Sequence, residues 1–245
     1  MAQTVTVETA DGPMGMHVDA PEASALRPHP AVLVMFHRGG IDEFTRYVCR
    51  RLAQNGYVAA APNLYHRRPK GEESGESITK VLDAELVADI RAAHKAVEGM
   101  PGVRADRIGI VGHCFGGRNS LYGAATIPSI RACAMFYGGN LWVARGEGRK
   151  PPIESVKDVA CPVMGFFGNE DRNPSPADID KLDELLTRHG KTHIFHRYDG
   201  AGHAFLNFLN APSFREKQAE DAWAKFLVFF DRELKYGEKI RLRAS

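Results

Sequence analysis

The stretch Arg107 to Gly117, reading RIGIVGHCFGG, constrains the fold of this chain more than any other. Ile108, Ile110 and Val111 are apolar and bounded by an Asp-Arg pair on one side and glycines on the other, which predicts a short strand buried on both faces. The G-x-C-x-G spacing from Gly112 to Gly116 follows at once. In a nucleophile elbow a strand turns so sharply into a helix that the middle residue is strained and its side chain stands exposed. Glycine two positions to either side lets such a turn close without a Cβ clash. Cys114 holds the middle place, and Leu121, Ala124 and Ala125 supply the helix-forming run that should follow.

Further strand and helix signals alternate around this unit. Thr4 to Thr9 and Met14 to Val18 flank Asp11-Gly12-Pro13 and predict a hairpin at an antiparallel sheet edge. Ala31 to Phe36 reads as a buried central strand, followed by a helix capped by Asp42 with Phe44, Tyr47, Val48 and Leu52 inward and an end at Asn55-Gly56. Tyr57 to Ala61, Arg131 to Tyr137, Pro162 to Phe167 and His193 to Tyr198 are further strands. Leu82, Leu86, Ile90, Ala93 and Val97 mark one helix face; Ile179, Leu182, Leu185 and Leu186 mark another; Trp223, Phe226, Leu227 and Phe230 mark a third. This rhythm predicts an α/β fold with a mostly parallel sheet and helices on both faces. With 245 residues, 44% of them hydrophobic, the expectation is a single domain over residues 1–245. Asn63 to Ser77 is polar and glycine-bearing, a surface loop that reads either as a lid or as a plain solvated connection.

The formal charge is only +2, from 32 Lys and Arg against 30 Asp and Glu. Neither a nucleic acid nor a membrane is therefore expected as partner, and a small-molecule substrate is. No window of 18 apolar residues and no signal-like start are present, so a soluble cytoplasmic protein is the expectation. The four cysteines, Cys49, Cys114, Cys133 and Cys161, lack C-x-x-C spacing, which argues against a metal cluster or a disulfide framework and suits a reduced thiol nucleophile.

Ligands of such sheets lie past the carboxyl ends of the strands. There the chain carries Cys114, then Asp171, then His203, the nucleophile-acid-histidine order of α/β-hydrolases. Cys114 is the candidate nucleophile, His203 the candidate base and acid, and Asp171 the group that orients the imidazole, with Glu170 as its rival. Oxyanion donors are expected from the backbone N–H of Phe115 and of Arg38 in the loop after the central strand. Cys49, Cys133 and Cys161 read as inert packing, and His37 and His113 flank the site without an assigned part.

Together GHCFGG at Gly112 to Gly117, PNLYHRR at Pro62 to Arg68, GNEDRNPSP at Gly168 to Pro176 and GAGHAF at Gly200 to Phe205 resemble the dienelactone hydrolase family of α/β-hydrolases. That resemblance implies hydrolysis of a small ester or lactone through a cysteinyl acyl intermediate, with no metal or organic cofactor, in a cytosolic monomer or weak homodimer. It carries the triad to Cys114, Asp171 and His203. His37, Arg67, Tyr137, Phe205 and Asn207 are the candidate substrate-binding residues. Two places depart from the family. The dienelactone-cleaving members have a glutamate after the central strand that helps switch the thiol on, where this chain has His37. They also have a carboxylate-binding arginine a few residues past the triad histidine, where this chain has Asn207. Arg38, Arg67, Arg68 and Arg118 are the candidates to substitute for that arginine. The rival functions are acyl transfer or thioester cleavage on the same triad, and a catalytically silent fold used as a small-ligand receptor.

Overall fold

The structure is a computed structural model that describes residues 2–22, 28–69 and 77–236. The opening hairpin pairs β1 (Ala2–Thr9) with β2 (Gly12–Asp19), Thr9 facing Gly12 across the turn. Six further strands are β3 (His29–Met35), β4 (Val58–Pro62), β5 (Val103–His113), β6 (Cys133–Phe136), β7 (Val163–Gly168) and β8 (His193–Tyr198). They form one eight-stranded sheet in the order β1-β2-β4-β3-β5-β6-β7-β8. β2 runs antiparallel to β4, and β3 to β8 pair in parallel. The parallel part is buried because apolar residues occupy both of its faces: Ala31, Leu33 and Met35 of β3 join one core, Val32 and Val34 the other.

Among the described residues five α-helices cover those faces: α1 (Glu43–Gln54), α2 (Asp83–Glu98), α3 (Phe115–Thr126), α4 (Pro176–Arg188) and α5 (Glu216–Phe230). Phe44, Val48 and Leu52 of α1 share a core with Trp223, Phe226 and Phe230 of α5, whereas Leu86 and Ile90 of α2, Leu121 of α3 and Leu182 of α4 fill the opposite one. Asp42 caps α1 as expected, its side chain accepting from Thr45 N–H.

Two expectations change. Leu82 is the residue before α2, with extended backbone, and stands exposed; helical spacing does not govern a residue outside the helix. Leu64 and Tyr65, at the start of the expected surface loop, are buried, because two large apolar side chains there fold back onto the core. Residues 70–76 of that loop, and with them that part of the expected lid, lie outside the described residues.

This topology positions the site. The chain leaves β3 toward β4 on one side and later returns to lay β5 on the other, so the loops after β3 and β5 diverge and leave a crevice at the carboxyl ends. Arg38 stands in the first loop and Cys114 in the second.

Candidate active site

Cys114 joins β5 to α3 with φ 56° and ψ −116°, a conformation that costs about 1–3 kcal/mol for a residue bearing a Cβ. Close packing imposes it. A Cβ on Gly112 would lie 1.9 Å from Gly116 O, and one on Gly116 would lie 1.9 Å from Met35 O. The backbone can therefore turn from strand to helix only with glycine at both places, and Cys114 N–H is meanwhile held by Phe136 O at 3.0 Å.

The side chain of Cys114 meets three donors. His203 hydrogen-bonds the thiol, and the backbone N–H groups of Phe115 and Arg38 point at the sulfur. Burial alone would push the thiol up, yet these interactions outweigh it and hold Cys114 below the usual thiol range. His203 Nδ1 lies 2.8 Å from Asp171 Oδ2, which leaves Nε2 for the sulfur. Burial would push the imidazole down, but the hydrogen bonds to Asp171 and Cys114 and their charges hold it up at about 10. Both shifts act in the same direction, toward a thiolate beside an imidazolium.

Asp171 is buried, and its second oxygen accepts from Asn173 N–H at 2.9 Å. Glu170 is exposed, so of the two acids considered Asp171 is the one that reaches His203. Asn173 also ties this loop to the one after β6, with its Oδ1 accepting from Asn140 N–H at 2.9 Å. Above the sulfur lies a cavity of ≈ 200 Å³ lined by Cys114, Phe115, His203, Ile78, Gly139, Asn140, Asn173, Arg118 and Arg145. Its size suits a small molecule.

The family model for the dienelactone hydrolase family matches residues 15–234. The chain belongs to the dienelactone hydrolase family. A protein from Synechocystis sp. named "Putative carboxymethylenebutenolidase" is 33% identical over 87% of this chain and 90% of its own. A protein of the same name from Methylorubrum extorquens is 35% identical over 83% and 72%. The crystal structure of a "Putative Dienelactone Hydrolase" from Klebsiella pneumoniae superposes with a TM-score of 0.86 at 30% identity, covering 95% of this chain and 98% of that one. This dienelactone hydrolase family member thus shares the α/β-hydrolase fold of its relatives.

Within this family member the candidate substrate residues separate. Arg67 is held away from the cavity by Asp11 at 2.7 Å and by Asp89 at 2.5 Å; two carboxylates leave it no reach. Arg68 donates to Lys80 O and Glu85, and the side chain of Arg38 is exposed to solvent. Arg118 lines the cavity but is locked in a buried ion pair with Asp83, 2.7 Å and 3.1 Å for its two terminal nitrogens. Asn207 uses its side-chain oxygen on Leu209 N–H, and Phe205 is fully buried against Tyr137 and Tyr198. Tyr137 sits behind the site, its ring edge-on to His203 at 5.2 Å and its hydroxyl without a hydrogen-bond partner among the described residues. His113 is buried against Phe136, and burial pushes its imidazole down to about 3, so it is neutral. His37 turns toward Asp42 rather than the sulfur.

Among the described residues, the cavity-lining cation whose side chain pairs with no carboxylate is Arg145, which sequence reading missed. It donates to Ile78 O and lies over the Phe115 ring at 5.0 Å. Burial and the neighbouring Arg118 pull its pKa down. The signal was available: the loop after β6 also starts at a strand's carboxyl end.

Proposed function

We propose that this chain hydrolyses a small, carboxylate-bearing ester or lactone through a Cys114–His203–Asp171 triad. The observation that supports this best is the thiol at a strained elbow, aimed into a cavity, in contact with an imidazole whose far side is tied to a buried carboxylate. The thiolate attacks the carbonyl carbon, and the resulting oxyanion takes the two backbone N–H groups of Phe115 and Arg38. His203 then gives its Nε2 proton to the departing alkoxide, leaving a thioester; in a lactone that alcohol stays on the acyl group. Water, deprotonated by His203, attacks the thioester, and the carboxylic acid leaves as the thiolate re-forms. Arg145 supports the choice of an anionic substrate, since a bound carboxylate offsets the penalty that burial and Arg118 place on its charge.

The test is p-nitrophenyl acetate turnover by wild type and Cys114→Ala. Turnover that depends on Cys114, with an acyl mass on Cys114 under single-turnover conditions, is the expected result. Equal rates remove the proposal, and a burst without turnover favours acyl transfer to another acceptor. Arg145→Met is expected to raise KM for p-nitrophenyl hemisuccinate by about 10- to 100-fold, the worth of one charge-assisted hydrogen bond, and to leave that for the neutral acetate ester unchanged. A uniform change for both esters would remove Arg145 from recognition.

A further inference from the structure

We propose that His37 and Asp42 form a positioning pair that aims the Arg38 N–H into the oxyanion hole. The inference rests on the thiol-hydrolase reading above. His37 Nε2 lies 2.7 Å from Asp42 Oδ2, and Gly39 N–H lies 3.4 Å from His37 Nδ1. One tautomer, with the proton on Nε2, satisfies both contacts. The ring is folded so closely beneath its own loop that a methyl group on Gly39 would sit 2.6 Å from His37 Cε1 and 3.0 Å from Asp42 Oδ2.

Asp42 is itself fixed. Its other oxygen caps α1 by accepting from Thr45 N–H at 3.0 Å. Around the ring, His37 O accepts from Gly40 N–H at 3.0 Å, Thr45 Oγ1 donates to Gly40 O at 2.9 Å, and Tyr65 OH donates to Arg38 O at 3.1 Å. Arg38 N belongs to the peptide between His37 and Arg38. With His37 held at its ring and Arg38 at its carbonyl, the direction of that N–H is set, and it points at the Cys114 sulfur. The thiol takes its interactions from His203, Phe115 N–H and Arg38 N–H, and His37 is not among them. His37 therefore reaches the thiol only through Arg38 N–H, one of its three donors, and its larger effect falls on the charge that develops on the substrate oxygen.

Two reactions of Cys114 separate these roles. Acylation by p-nitrophenyl acetate builds an oxyanion; alkylation by iodoacetamide forms a carbon–sulfur bond and releases iodide without one. In His37→Ala the acylation kcat/KM is expected to fall about 10- to 100-fold, somewhat less than outright loss of a donor. The ultraviolet thiolate titration moves up, because Arg38 N–H is one of the sulfur's donors, and the alkylation rate, measured above that titration where the thiolate is fully formed, stays at the wild-type value. Asp42→Ser keeps a good helix cap but is too short to reach His37, and it is expected to give the same split. The double variant should be no worse than either single one, since the two residues act as a unit. Unchanged acylation in both single variants overturns the positioning pair, and so does a parallel fall of acylation and alkylation, which would place His37 on the thiol or in the fold. Wild-type hydrolysis that survives Cys114→Ala overturns the thiol reading itself and this inference with it, an outcome distinct from the other two.

Discussion

Replacing His203 by glutamine is expected to lower kcat/KM for a small ester by about 10⁴-fold or more, the scale seen when a triad member is removed. It should also move the thiol titration of Cys114 upward. Burial already pushes that thiol up, and the hydrogen bond and charge of His203 are the first of the interactions that reverse it. Without the imidazole, two backbone N–H groups remain against full desolvation, so the thiolate should persist only at higher pH. Ultraviolet thiolate absorbance against pH checks this directly, and coincident titrations in wild type and variant would contradict it. For the wild type the sign follows from both shifts. Because Cys114 is depressed, its thiolate persists below the usual thiol range, and activity is lost as pH falls through that lowered value. Because His203 is held at about 10, the proton needed by the leaving group is lost as pH rises through it. The expected profile of kcat/KM is a bell whose limbs belong to the pair.

The largest effect on stability is expected at Asp83. This buried carboxylate takes both terminal nitrogens of Arg118, the hydroxyl of Tyr122 and the backbone N–H of Arg145. Arg118 is fully buried, and two more of its donors go to Asn140 O and Val143 O. Asp83→Ala leaves a buried guanidinium uncompensated, which costs about 3–5 kcal/mol. For a chain of this size that corresponds to a melting temperature lower by roughly 6–20 °C. Arg145, tethered to Asp83 through its backbone, should lose its place at the same time, so the KM for an anionic ester should rise along with the loss of stability. Replacing the pair together, as Asp83→Leu with Arg118→Met, should recover part of the stability because no lone charge stays buried. Calorimetry of the single and double variants measures both, and a double variant less stable than Asp83→Ala would refute this account of the pair.

Most of the architecture was legible in the sequence because each periodicity has one physical solution. Alternating Thr4 to Thr9 fits only a half-exposed strand, the continuous apolar run Ala31 to Phe36 fits a strand buried on both faces, and Phe44, Val48 and Leu52 fit one stripe of a helix. Leu82 broke the pattern because spacing cannot tell the last residue before a helix from the first one within it. Leu64 and Tyr65 were assigned to a surface loop because polar neighbours masked them.

Cys114, Asp171 and His203 could be picked out because each stands just past a strand and the elbow glycines mark the first. What the sequence determined by itself was this: strands, helices, the turn that strains Cys114, and the chain order of the reactive groups, all governed by neighbours within a few residues. Tertiary structure alone decided which charges are spent and which are free. Arg67 and Arg118 are paired by Asp11, Asp89 and Asp83, remote in sequence, while the Arg145 guanidinium pairs with no carboxylate among the described residues and lines the cavity. It also decided where His37 points and which N–H groups surround the sulfur. Those outcomes depend on distances between segments remote in sequence, and a charge or a backbone N–H carries no local mark of the partner that folding will bring to it.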